Sequence, residues 1–87
     1  MARLKVYSIH DVASKAYAQP FTQQADGEAA RTFTDIAIDP QSKIGKFPKD
    51  YTLWRIGTFE TNSGMLKEEI PEQLMTAMEA IAIATQE

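Results

Sequence analysis

Lys43, Lys46 and Lys49 recur every third residue, with Phe47 between them, Tyr51 two residues on and Trp54–Arg55 just beyond. Residues 43–59 read KIGKFPKDYTLWRIGTF and hold four cations and four aromatic residues in a chain whose formal charge is −3. Cations strung along a backbone meet successive phosphates, and flat rings offer faces on which bases stack. Together they are the chemistry that holds single-stranded nucleic acid. Stacking is worth roughly 1–3 kcal/mol per base, so two exposed rings can match several salt-screened charges.

Competing chemistries find less to work with. His10 is the one histidine and there is no cysteine, so a zinc site of the usual His/Cys type has no ligand set. A nucleophile would have to be Ser8 or Ser14 with His10 as its base. Asp11, adjacent to His10 at a strand end, points the other way. Glu68, Glu69 and Glu72 could meet a hard cation, but no EF-hand spacing surrounds them. No P-loop or GxGxxG cradle is present. The expectation is a protein that is not an enzyme, with no catalytic residues, no metal and no cofactor.

The charge is unevenly placed. Residues 1–55 carry eight cations against six acids, whereas residues 56–87 carry Lys67 against six acids. A basic face on an acidic molecule is therefore feasible. Eighty-seven residues make a single domain, 1–87. So short a chain buries only about 60–65% of its unfolded surface, a shortage that oligomerisation commonly relieves. The N-terminal MARLKVYSIH lacks the apolar run of a secretory signal, and the most apolar window, around residues 74–84, is too short to span a bilayer. A soluble intracellular protein with no membrane association is expected.

The elements that must position these residues follow from periodicity. Arg3, Lys5, Tyr7 and Ile9 alternate with Leu4, Val6 and Ser8, which predicts a strand with Leu4 and Val6 buried and an amphipathic second face. After a polar turn, Lys15–Phe21 pairs back as a second strand, with Pro20 at its end or on an edge. Asp26 reads as an N-cap and Glu28 as a first-turn acid. Ala29, Ala30, Phe33, Ile36 and Ala37 stripe a helix that should stop before Asp39–Pro40. Residues 40–50 read as a loop. Thr52–Glu60 alternates again, Trp54, Ile56 and Thr58 against Leu53, Arg55, Gly57 and Phe59. Asn62–Gly64 suits a hairpin connection to a strand over Met65–Glu69, and Pro71 fits the first position of a helix striped by Leu74, Met75, Met78, Ile81 and Ala82. The result is an α+β fold: a small antiparallel sheet in ββαββα order, one helix packed on it and an amphipathic C-terminal helix.

On that frame the phosphate ligands are Lys43, Lys46, Lys49 and Arg55, with Arg3 or Lys5 in support. The stacking candidates are Phe47, Tyr51, Trp54 and Tyr7. If Trp54 faces the core, Arg55 faces outward and the outer sheet face becomes the platform; if Trp54 is exposed, it joins the stacking set. A homodimer would present two basic loops to one strand and raise affinity through effective concentration. A different class of function is a protein-binding adaptor, working through the acidic C-terminal half and the helix from Pro71.

The succession KVYSIHD, then Pro20–Phe21, then EAAR-x-F (Glu28–Arg31, Phe33), then FPKDYTLWRIGTFE-x-x-SG resembles the small nonstructural protein of gokushovirus-type microviruses. These are tailless phages with circular single-stranded DNA genomes, and the resemblance covers nearly the whole chain. It implies a DNA-binding accessory in the cytoplasm of the bacterial host, one that favours viral single-strand DNA synthesis and packaging over further duplex replication. The implied partners are single-stranded DNA and, for an adaptor, a host replication factor or the viral procapsid. Three positions depart from the family pattern: His10 stands where Arg is usual, Phe47 where His is common and Trp54 where Tyr is common. The last two keep or enlarge a stacking surface, while a mostly neutral His10 weakens any phosphate contact there.

Overall fold

A computed structural model describes residues 3–85, so Glu87, the last acid of the C-terminal half, lies outside the described residues. The chain forms β1 (Arg3–Asp11), β2 (Ala16–Tyr17), β3 (Phe21–Gln23), α1 (Asp26–Ala37), α2 (Lys43–Lys46), a 3-10 turn (Pro48–Asp50), β4 (Tyr51–Glu60), β5 (Leu66–Thr76) and α3 (Ala77–Ala84). This is the expected ββαββα order, with the second strand divided in two. All pairings are antiparallel: β4 lies between β1 and β5, and β2 and β3 follow one another along the other side of β1. The division falls at Gln19–Pro20, where proline cannot donate to the ladder. The chain nevertheless stays against β1, because Ala18 N–H donates to the Ile9 carbonyl at 2.8 Å and Ser8 Oγ donates to the Ala18 carbonyl at 2.7 Å.

The core forms where α1, α2 and α3 meet one sheet face: Tyr7, Ala29, Phe33, Ala37, Ile44, Tyr51, Leu53, Ala77 and Ala80. The stripe read for α1 supplies Ala29, Phe33 and Ala37, and the helix ends at Ala37 as its sequence requires. Its cap is Ala25 rather than Asp26, which has other partners described below. The alternation of β1 is real, but its better-covered side is the one with Tyr7 and Ile9. Val6 is buried on the opposite side, in a cluster with Leu4, Phe59 and Leu66.

A bulge changes the phase of β4. Val6 pairs with Gly57 and Tyr7 with Arg55, leaving Ile56 unmatched. One extra residue reverses the facing of everything beyond it. Trp54 therefore shares a face with Gly57 and Phe59, and Leu53 and Arg55 share the other with Thr58. A uniform alternation groups these residues differently.

The hairpin at Asn62–Gly64 is as expected, with Gly64 at φ 76° and its N–H donating to the Glu60 carbonyl at 2.8 Å. Beyond it the sequence reading needs correction. Residues 66–76 are one strand, so Pro71, Leu74 and Met75 are in β5 and not in a helix. Pro71 is tolerated because β5 is an edge strand and residues 69–71 are not paired in the ladder with β4. The helix starts at Ala77, set by a capping box: Glu79 N–H donates to Thr76 Oγ1 at 3.0 Å and Thr76 N–H to Glu79 Oε1 at 2.9 Å. The 40–50 segment also holds more structure than a loop. Ser42 caps α2, accepting from Gly45 N–H at 2.9 Å.

Candidate nucleic-acid interface

Residues paired across an antiparallel ladder project to the same side. Register therefore assigns Tyr7, Ile9, Leu53 and Arg55 to the face under the helices. Leu4, Val6, Ser8, His10, Thr52, Trp54 and Phe59 go to the opposite face, where no described helix lies. Tyr17, opposite His10 on β2, joins this open face. Three rings meet there. The His10 and Tyr17 centroids are 4.6 Å apart, and the Tyr17 and Trp54 centroids 6.1 Å apart with planes at 77°. Such tilted and edge-on contacts suit ring quadrupoles. Trp54 is further fixed by its indole N–H, which donates to Thr52 Oγ1 at 2.8 Å. Tyr17 keeps 48% of its surface exposed, and Trp54 is half-buried.

The turn before Tyr17 is built by Asp11, whose carboxylate accepts from Ala13 N–H at 3.0 Å and Ser14 Oγ at 3.1 Å. Lys15 closes it at φ 58°, and its side chain is exposed. Val12 N–H donates to the Asp50 carbonyl at 2.8 Å, tying this turn to the Lys49 segment. The basic stretch and the ring cluster therefore share one end of the domain. Lys43 and Tyr17 line the same depression. Lys46, Phe47, Pro48, Lys49 and Asp50 line another with Met78 of α3, and Phe47 is 56% exposed. Lys43, Lys46 and Lys49 are exposed and make no ion pair with a described residue.

The remaining sequence candidates are placed elsewhere. Tyr7, read as a stacking ring, has no exposed surface. Its hydroxyl donates to Asp26 Oδ1 at 2.8 Å, and burial followed by that bond pushes its pKa well above the ordinary phenol range. Tyr51 is likewise core. Burial first, then the negative charges of Asp11 and Asp50, raises its pKa. Neither ring has a face to offer a base.

Arg55 is held under the helices between two carboxylates, Asp26 and Glu72. Its charge is already neutralised, so it is not the outward cation that the sequence reading allowed. Arg3 pairs with Glu60 at 2.8 Å. Lys5, half-buried, lies toward the same face as Tyr7, opposite Thr58. Tyr17 and Lys15 were not identified from sequence. Their signal was the hairpin itself, because a turn over residues 12–15 sets Tyr17 against His10 and so next to the ring two strands away.

The fold and this face define a small two-layer α+β domain with a basic, aromatic end. The chain belongs to the Phage ORF5 protein family, whose family model matches residues 4–80. It is thus a member of a bacteriophage protein family. No curated protein and no solved structure matches it significantly. Among the described residues no helix is long and apolar enough to cross a membrane.

Proposed function

We propose that the protein is a non-enzymatic accessory that binds single-stranded DNA in the cycle of a small DNA phage of the gokushovirus type, supporting viral single-strand synthesis or packaging. The observation that carries this reading is the His10–Tyr17–Trp54 cluster on a sheet face that no described helix covers, with lysines at the same end that form no ion pair among the described residues. The bases stack on Tyr17, Trp54 and Phe47, and the phosphates follow Lys15, Lys43, Lys46 and Lys49. Arg55, Tyr7 and Tyr51 hold the platform from beneath and touch no nucleic acid. Non-catalytic action is supported by His10, whose ring packs on Tyr17, and by Ser8, whose hydroxyl donates to a main-chain carbonyl.

Single-stranded DNA is favoured over duplex because stacking needs bases with free faces. Sequence preference is weak, since neither stacking nor phosphate contacts read base edges. The test is anisotropy of a labelled oligonucleotide, single-stranded and duplex, in a salt series. Four phosphate contacts on a single strand give a log–log salt slope of about −3, or roughly 50-fold weaker binding between about 50 and 200 mM salt. Neutralising Lys43, Lys46 and Lys49 together should flatten that slope. Affinity indifferent to salt, or tighter binding to duplex, refutes the proposal.

A further inference from the structure

Ile70 is 92% exposed, the most exposed of the large apolar residues described. It stands at the crest of the segment 69–71, which leaves the ladder between the pairs Gly57–Glu68 and Arg55–Glu72. The feet of this crest are braced. Thr58 Oγ1 donates to Glu69 Oε2 at 2.7 Å, and Arg55 holds Glu72 at 2.5 Å. Gly57 lets β5 approach so closely that a Cβ there would lie 2.6 Å from the Lys67 carbonyl oxygen. Pro71 fixes φ on the descending side. An apolar side chain held rigidly in solvent, with Glu68 and Glu69 beside it, fits an apolar pocket with a basic rim.

The chain itself carries such a pocket. Phe47, Pro48 and Met78 line a cavity of about 420 Å³ rimmed by Lys46 and Lys49, with Asp50 as its one acid. Phe47 and Met78 are exposed at 56% and 49%, so the apolar lining is open to a ligand. We infer that the Ile70 crest of one copy seats in the Phe47–Met78 pocket of a second copy, with Glu68 facing the Lys46–Lys49 rim. The alternative self-contact, β5 against β5, would set Glu68, Glu69 and Glu72 near their own counterparts and would be interrupted by Pro71 and the bulge. The contact covers Phe47, Lys46 and Lys49, so self-association and a nucleic-acid strand compete for that pocket, while Lys15, Lys43, Tyr17 and Trp54 lie outside it.

The test is sedimentation equilibrium of the full chain without nucleic acid, so its outcome is independent of DNA binding. Wild-type protein should self-associate. Ile70→Ser and Phe47→Ser should each associate roughly ten- to a hundredfold more weakly, the effect of losing one buried apolar side chain. An equimolar mixture of the two variants regains one intact crest and one intact pocket, and should associate more tightly than either alone. Met78→Glu serves as a second pocket variant, and circular dichroism confirms that each is folded. A wild type that stays monomeric, variants that associate like wild type, or a mixture no tighter than its components would overturn the inference.

Discussion

Replacing Asp26 by alanine removes the hub that joins β1, α1 and β4, and should destabilise the fold by about 2–4 kcal/mol. The largest part comes from Tyr7. Its hydroxyl sits on a side chain with no exposed surface and donates to Asp26 at 2.8 Å. A buried donor left without an acceptor costs about 1–3 kcal/mol. Arg55 loses one of its two carboxylates, but the side chains of that pair are 22% and 41% exposed, so screening holds this part to about 1 kcal/mol or less. Losing an acid from the first turn of α1 adds about 0.3–1 kcal/mol. A domain of this length has only about 4–13 kcal/mol of stability in all, so the effect should be plain in a urea titration followed by circular dichroism. Tyr7→Phe keeps the carboxylate on Arg55 and should cost only about 1 kcal/mol. In the Asp26→Ala background the same change removes the orphaned donor and should restore about 1 kcal/mol or more. Strict additivity of the two substitutions, or an Asp26→Ala variant as stable as wild type, would refute the hub.

Three further expectations follow from the same packing. Tyr7 and Tyr51 hold their protons more tightly folded than unfolded. The unfolded chain therefore releases protons first as pH rises past about 10, and stability should fall there by up to about 1.4 kcal/mol per pH unit per tyrosine, while remaining flat with respect to these groups below that pH. Tyr7→Phe should remove its share of the slope in alkaline urea titrations. Gly45→Ala would place a methyl 2.0 Å from the Asp39 carbonyl oxygen, so the turn carrying Lys43 and Lys46 must shift, with a fall in Tm of roughly 5–20 °C in a thermal melt. Thr76→Ala should cost about 1 kcal/mol by breaking the capping box, whereas Pro71→Ala should stay within about 0.5 kcal/mol in the same denaturation assay.

Much of the fold was legible because local rules acted alone. The stripe of α1, its stop before Asp39–Pro40 and the Gly64 hairpin each depend on a few neighbouring residues. The C-terminal helix shows how two local signals compete. Pro71 suits a helix start, but Thr76-x-x-Glu79 is a complete capping box, and pairing of Glu72–Thr76 with β4 decides between them. Face assignment on β4 was not legible, because it turns on the bulge at Ile56, which exists only once β1 is alongside. The site inherited that error. Arg55 and Tyr7 look like surface chemistry in isolation, and only the arrival of Asp26 on α1 and Glu72 on β5 makes them a part-buried network with its partners already engaged. Lys43, Lys46, Lys49 and Phe47, lying in a proline-rich segment, were read as exposed, and they are.

Trp54 is the single tryptophan of the chain, so its emission reports on the open sheet face without labelling. Titration with a single-stranded oligonucleotide should quench that emission saturably, with the same midpoint as the anisotropy change of the labelled strand. Tyr17→Ala should weaken both by roughly 5- to 150-fold, the equivalent of one stacked base. Binding seen by anisotropy with Trp54 emission unchanged would place the nucleic acid elsewhere, and no binding at all would remove it from the protein.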